Sequence, residues 1–490
     1  MSWLDAVTPV RMKRVALVAA DESLRDVLVR VAGAAAVEIG PAAGEAGTPG
    51  PVAREAAPGG EAGTGSEAAR RLRRAGRPVA GAALSVARPD LDALERAGRY
   101  ELLAGEAQLE AYAAIAARRS GAMALPAWIP AGRVSDVATS LAAVGGAVVP
   151  LPYPRGIQPP TLVSGRPARR SVSPLVQTYG TVPYADIDPA WLAWAGYVLM
   201  FGMMFGDAGE GLVLIAAAVA LRAGWPAWAR RFRQAWPFVG GAGVAATMFG
   251  LLYGECFGPT GLVPTLWLDP LDHPLTLLLA AVGVGAFMLA GAYALGTVNR
   301  WREGGWPSAL YAPSGIAGTT VFLGAGLAVA GWYSRQRMVL AAGGVVALAG
   351  LALATVGFLA EAGGGVAGRL QASVEVFDLI VRLGSNVVSF TRLAAFGLTH
   401  AALGLLVWEG ARALWHRGGA AAVAGVALFA VGTALAFSLE GLVAAIQALR
   451  LEYYELFSRL FVGQGRPFRP WQLPIVTDGL AAARMNEKKE

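Results

Sequence analysis

Residues 372–412, ASVEVFDLIVRLGSNVVSFTRLAAFGLTHAALGLLVWEGAR, are apolar enough to enter a membrane, yet Arg392 stands near their middle. A guanidinium at bilayer depth costs at least about 2.5–3.5 kcal/mol, and arginine cannot shed its proton to escape that cost. Membrane arginines therefore face a water-filled path or a carboxylate rather than lipid. Other polar residues keep step with this one. Asp378, Arg382, Ser385, Ser389, Arg392, Phe396 and Thr399 follow spacings of four and three, so they share one helical face that only Phe396 interrupts. His400 lies just beside that stripe. The serines alone would read as glue between helices. An Asp, two Arg and a His on one apolar segment read as a functional polar pathway.

The rest of the chain agrees with a membrane setting. Of 490 residues, 55% are hydrophobic and 15% charged, and mean hydropathy is +0.49. That profile belongs to a polytopic membrane protein rather than a soluble domain. A lone cysteine, Cys256, excludes an internal disulfide framework. The net charge of +7 is what basic loops give a membrane protein, and it does not point to nucleic acid. The N-terminus lacks the layout of a signal peptide, so the N-terminal region is expected in the cytoplasm.

Residues 8–40 read as a β-α-β start, with RVALVAA and AAVEIG as strands around a helix opened by Asp21-Glu22-Ser23. Residues 41–66 are rich in Pro, Gly and Ala without apolar periodicity, the composition of a disordered linker. Residues 67–120 carry mixed charges at helical spacing, the pattern of solvated helix faces. MALPAWIPAG, VSDVATSLAAVG and GAVVPLP form a second strand, helix and strand, and a proline-stiffened exit leads toward the membrane. A small cytoplasmic α/β domain over 1–170 and a connector over 171–189 follow from this pattern.

From residue 190 onward the chain is mostly α, with apolar runs at about 190–206, 208–223, 235–257, 275–298, 310–334, 338–360, 372–412 and 420–462. The first two could be one long tilted span. Arg222, Arg230, Arg231 and Arg233 follow them, and cytoplasmic loops prefer positive charge, which favours two crossings. Eight spans result, with the N-terminus and a tail at 463–490 both cytoplasmic. Arg335, Arg337, Arg412 and Arg417 run against that scheme. The last two segments are unusually long: about 40 residues of helix extend ~60 Å, twice the hydrocarbon thickness. No proline occurs between Pro313 and Pro467 to break them, so strong tilt is expected. The final segment repeats the polar pattern, with Glu440, Gln447 and Tyr454 spaced by seven and Arg450 one turn from Gln447. No phosphate-binding glycine loop, metal-ligand cluster or nucleophile–base arrangement stands out, and all three lysines lie near the termini. Any ATP chemistry would belong to another chain, and no cofactor is implied.

Several segments resemble one family, the a (or I) subunits of V-type and archaeal-type rotary ATPases. SFTRLAAFGLTHAALG is similar to the segment that carries that family's essential arginine. SLEGLVAAIQALRLEYYELFSRLFVGQGRPFRP is similar to its last membrane helix and tail. FGMMFGDAGEGLVL, MFGLLYGECFG and PPTLVSGRPARR with YGTVPYADIDP match further family signatures, and VRMKRVALV and AWIPAGRVSDV resemble parts of its cytoplasmic domain. The likeness covers essentially all of 150–470, in the family's order. It implies that Arg392 faces a proteolipid ring and that Arg450 is its partner arginine. Asp378, His400, Glu440 and Gln447 would then line two ion half-channels. Arg382, Ser385, Ser389, Tyr454, Asp207, Glu210 and Glu255 would be secondary polar positions. The implied role is that of a membrane stator subunit, coupling proton or sodium passage to ring rotation. Its implied partners are the ring and the peripheral and central stalks.

The chain departs from the family at three places. Position 210 is Glu where an aromatic or His is usual, Asp378 is one methylene shorter than the usual Glu, and the region before the membrane part is about half as long. Two other readings stay open on sequence grounds: a secondary transporter, although no internal repeat is visible, and a non-transporting membrane scaffold.

Overall fold

The computed structural model describes residues 9–40, 66–76, 79, 81–153, 158–162, 180–363, 365–460 and 465–476. These form two compact units. One is built from Pro9–Val163 together with the chain from Gly465 onward, the other from Ser164–Gln464.

The α/β unit grows from strand β1 (Met12–Ala20), whose Val15, Leu17 and Ala19 alternate inward. Helix α1 (Leu24–Ala34) buries Leu24, Val27, Leu28 and Val31, and β2 (Glu38–Ile39) follows. The expected linker lies outside the described residues up to position 65. Ser66 then caps α2 (Glu67–Ala75) by accepting a hydrogen bond from the Ala69 N–H at 3.1 Å. β3 (Leu84–Ser85), α3 (Leu91–Arg96), α4 (Tyr100–Ala114), β4 (Ala117–Arg119), β5 (Ala122–Pro130), α5 (Val134–Ala142) and β6 (Gly146–Pro150) complete the run. Among the described residues the strands order as β2-β5-β1-β6, all antiparallel, with β4 also on β5.

The tail belongs to this unit. Its strand β7 (Ile475–Val476) pairs in parallel with β3. Trp471, 7% exposed, packs on Tyr112 with ring centres 4.7 Å apart and donates its indole N–H to Gln108 at 3.1 Å. Glu38 accepts the Arg469 N–H at 2.8 Å and pairs with Arg466 at 2.8 Å.

The second unit is mainly helical among its described residues. Its helices are α6 (Ala190–Met204), α7 (Ala208–Ala223), α8 (Trp236–Tyr253), α9 (Pro274–Tyr311), α10 (Ile316–Tyr333), α11 (Arg337–Glu361), α12 (Gly365–Ser389), α13 (Thr391–Trp415) and α14 (Gly419–Leu451). Six helical stretches among the described residues are long and apolar enough to cross a membrane: 227–253, 274–311, 316–333, 337–361, 365–415 and 419–460. α6 and α7, at 15 and 16 residues, are shorter and meet at a tight turn. A small-residue seam joins α10 to α11, where a Cβ at Gly343 would stand 2.3 Å from the Ala328 nitrogen.

The two long segments are less regular than their lack of proline suggests. Helix regularity breaks for one turn at Phe390, between α12 and α13, where i→i−3 hydrogen bonds replace i→i−4 but the backbone stays right-handed (φ −73°, ψ −10°), so the Asp378–Thr399 stripe crosses this junction within one helical stretch, 365–415. Phe390 is fully buried against Gly285 of α9, where a Cβ would lie 2.2 Å from the ring. A packed side chain, not a proline, marks the break. After α14 the chain continues through a π-helical turn, Glu452–Phe457, into the short α15 (Ser458–Leu460).

Candidate functional site

The site is assembled where the α6–α7 turn meets the C-terminal end of α8 and the faces of α13 and α14. Asp207 ends the turn and is fully buried. One carboxylate oxygen accepts the N–H groups of Glu210 and Phe257, both at 2.9 Å, and the other accepts Gly258 N–H at 2.7 Å. It thus caps α7 and clamps the loop after α8 in one move. The close approach requires Gly250, whose Cβ would stand 2.1 Å from the Ala208 nitrogen. Glu210, in the first turn of α7, and Glu255, at the start of the clamped loop, are buried beside Asp207.

His400 projects into this cluster from α13. Its Nδ1 is 2.5 Å from a Glu440 carboxylate oxygen on α14, and its Nε2 is 4.0 Å from Glu210 Oε2. Phe205 lies over the imidazole with ring centres 4.9 Å apart. One oxygen each of Glu210 and Glu440 is buried with no hydrogen-bond partner among the described residues, as is Gln447 Oε1. Four carboxyl groups therefore converge on one imidazole. No lysine or arginine forms an ion pair with any of them among the described residues.

Arg392 sits apart from that cluster, half-buried on α13, and Arg450 is exposed on α14. Neither forms an ion pair among the described residues. Asp378 and Arg382 pair with each other one turn apart on α12, both more than half exposed. Ser385 is exposed and Ser389 half-buried. The stripe is thus an open polar face on an otherwise apolar surface. Tyr454, 68% exposed, also points away from the protein.

A second buried polar group was not legible as a stripe. Asn386 of α12 is 7% exposed. Its amide donates to the Arg382 carbonyl at 3.0 Å and to Glu455 at 3.1 Å, and accepts from Arg459 at 2.7 and 3.2 Å. This amide orientation is assigned from the network. The Arg459 guanidinium lies over the Tyr293 ring at 5.6 Å. The 452, 455, 459 spacing was the available signal: it marks a buried face of the last helix that the 440, 447, 454 series conceals. A third group anchors the connector. Asn299 of α9 accepts Ile187 N–H at 3.0 Å, and the fully buried Asp186 lies near the Arg300–Glu303 ion pair, itself 2.6 Å long.

Residues 115–260 match the profile of the V-type ATPase 116 kDa subunit family. The chain is 29% identical over 349 residues to an A-type ATP synthase subunit I of Aeropyrum pernix, covering 61% of this chain and 49% of that protein. It is 25% identical over 395 residues to the corresponding protein of Thermococcus kodakarensis, covering 76% and 57%. With that of Halobacterium salinarum it shares 28% over 417 residues, covering 70% and 55%. The chain spans about half the length of the curated relatives it matches.

Proposed function

The chain belongs to the V-type ATPase 116 kDa subunit family, and on that premise we propose that it is the membrane stator of a rotary ATPase. It lines two ion half-channels beside a proteolipid ring and couples the passage of a proton, or sodium, to ring rotation. It sits in a prokaryotic plasma membrane with both ends cytoplasmic, and the stalks hold it against rotation.

The observation that carries this reading is Arg392, half-buried on a polar face of α13 and without an ion-pair partner among the described residues. A carboxyl carried through lipid is neutral, because the charged form is costly there. Opposite an arginine the anion is favoured, so the proton leaves at that point. The same positive charge blocks a direct proton leak between the two half-channels. Arg450 on α14 reinforces it from the neighbouring helix.

The remaining polar residues divide into a route. The His400–Glu440 pair, with Gln447 further along α14, offers groups that donate and accept protons at hydrogen-bond range. Asp378, Arg382, Ser385 and Ser389 offer the second approach, along α12. Arg392→Ala is expected to abolish coupled ion transport while the subunit still assembles with the ring. Normal pumping by an assembled Arg392→Ala complex would overturn the proposal.

A further inference from the structure

We propose that the segment between α7 and α8 binds the phosphate of an anionic membrane lipid, with Arg230 and Arg233 on the headgroup and Trp225 and Trp228 at the acyl boundary. Most of the segment is a 3₁₀ helix, Ala227–Ala235, reading AWARRFRQA. It opens the stretch 227–253, which is long and apolar enough to cross a membrane. Its three arginines are too costly for the hydrocarbon layer. Its aromatic rings are equally out of place in open water, since Trp225 and Trp228 are 73% and 70% exposed. A segment with both demands settles at the interface, with rings toward the acyl chains and guanidinium groups among the phosphates.

The 3₁₀ geometry pairs the two arginines. Three residues per turn set Arg230 and Arg233 one above the other, about 6 Å apart along the axis. Ala229, in another row, is buried and holds the segment against the protein. Arg230 donates its Nε–H to the Gly224 carbonyl at 3.3 Å, which fixes the side chain and leaves its two terminal nitrogens for a ligand. The other two guanidinium groups nearby lie over rings, Arg222 at 4.9 Å from the centre of Trp236 and Arg231 at 4.7 Å from that of Phe232. A fixed guanidinium with a second one a turn away suits a phosphate, whose oxygens accept paired N–H donors.

Charge complementarity selects the anionic lipid. Arg222, Arg230, Arg231 and Arg233 are all exposed, and none forms an ion pair among the described residues. No Asp or Glu occurs between Glu210 and Glu255, so no neighbour in the sequence neutralises them. Every phospholipid offers a phosphate, but the ammonium of a zwitterionic headgroup is repelled by four unpaired arginines. A headgroup with net negative charge is not. Four basic residues beside a membrane helix are the pattern of anionic-lipid binding. Retention of a loop on one side of the membrane needs only diffuse positive charge. It gives no reason for two arginines to be stacked or for two tryptophans to be bare.

The site does not depend on the transport reading, because binding is measured on the isolated chain. The full-length protein in detergent is titrated with equimolar phosphatidylglycerol and phosphatidylcholine, and native mass spectrometry counts each bound lipid. Each arginine near the headgroups contributes about fivefold, so the parent should hold phosphatidylglycerol at least about tenfold more tightly. Arg230→Gln/Arg233→Gln should erase most of that preference. Arg70→Gln/Arg74→Gln, which removes the same charge from the exposed face of α2, should leave it intact. Arg233→Gln alone, at an exposed position, should cost about fivefold and decides the matter if the double variant is not monodisperse. Equal retention of the two lipids by the parent would overturn the site. So would an undiminished preference in the Arg230 and Arg233 variants, or an equal loss in Arg70→Gln/Arg74→Gln.

Discussion

His400 and Glu440 are held together by a 2.5 Å contact between two helices, so at the scale of single residues they act as one unit. Replacing Glu440 with Gln keeps the shape and removes the titrating group. A positioned proton-transfer group is worth on the order of 10²–10⁴ in rate. Glu440→Gln is therefore expected to slow ion transport by at least about tenfold in vesicles while leaving it measurable, unlike Arg392→Ala. An unchanged rate would remove Glu440 from the path. Asp207 is a different case, because its carboxylate holds backbone rather than chemistry. Asp207→Ala removes a helix cap and strands two further buried N–H groups, at a cost of about 2–5 kcal/mol. Lowered thermal stability of the purified variant checks this. The polar identity of His400, Glu440, Asp207 and Glu255 was legible, since each interrupts apolar sequence. Their convergence was not, because it depends on how four helices pack. Asn386 and Arg459 were less legible because they lie off the 378–399 and 440–454 spacings, and only packing brings them together.

Elements show where periodicity misleads. The four-and-three spacing from Asp378 to Thr399 implies a uniform helix, whereas the turn at Phe390 tightens where its ring is buried against Gly285. The seven-residue spacing of Glu440, Gln447 and Tyr454 likewise runs into the π-helical turn at Glu452–Phe457. Such turns gather at functional sites, and this one carries Glu455 toward Asn386. Composition foretold neither irregularity, since both arise from tertiary packing. The tail gives a further example. Its sequence reads only as a tail after the last helix, but Trp471 packs into the core of the α/β unit. Trp471→Ala is expected to destabilise that unit by roughly 3 kcal/mol. Limited proteolysis of the full chain should then cleave within 465–476 faster than in the parent. Equal rates would mean that the tail contributes nothing to the unit's stability.

Across the whole molecule, the long apolar helices were legible, because a stretch of such length and composition has few alternatives. The buried connector before α6 was not. Asp186 lies there fully buried, and its carboxyl is pushed up to about 8, first by burial and then by the neighbouring Glu303 carboxyl. The folded chain thus keeps this proton to a higher pH than the unfolded chain does. Stability from Asp186 is fully present below its ordinary value near 4 and is lost as pH rises toward 8. Thermal unfolding in detergent between pH 4 and 9 should show the parent losing stability relative to Asp186→Asn, and parallel curves would reject this. The central claim is that Arg392 faces a moving carboxylate on another chain. Cysteines at position 392 and beside the ring carboxylate, in a Cys256→Ser background, test it by disulfide formation, which requires Cα atoms about 4.4–6.8 Å apart. The account predicts a cross-link from position 392 and none from position 345 on α11. A cross-link from 345 with none from 392 would contradict it.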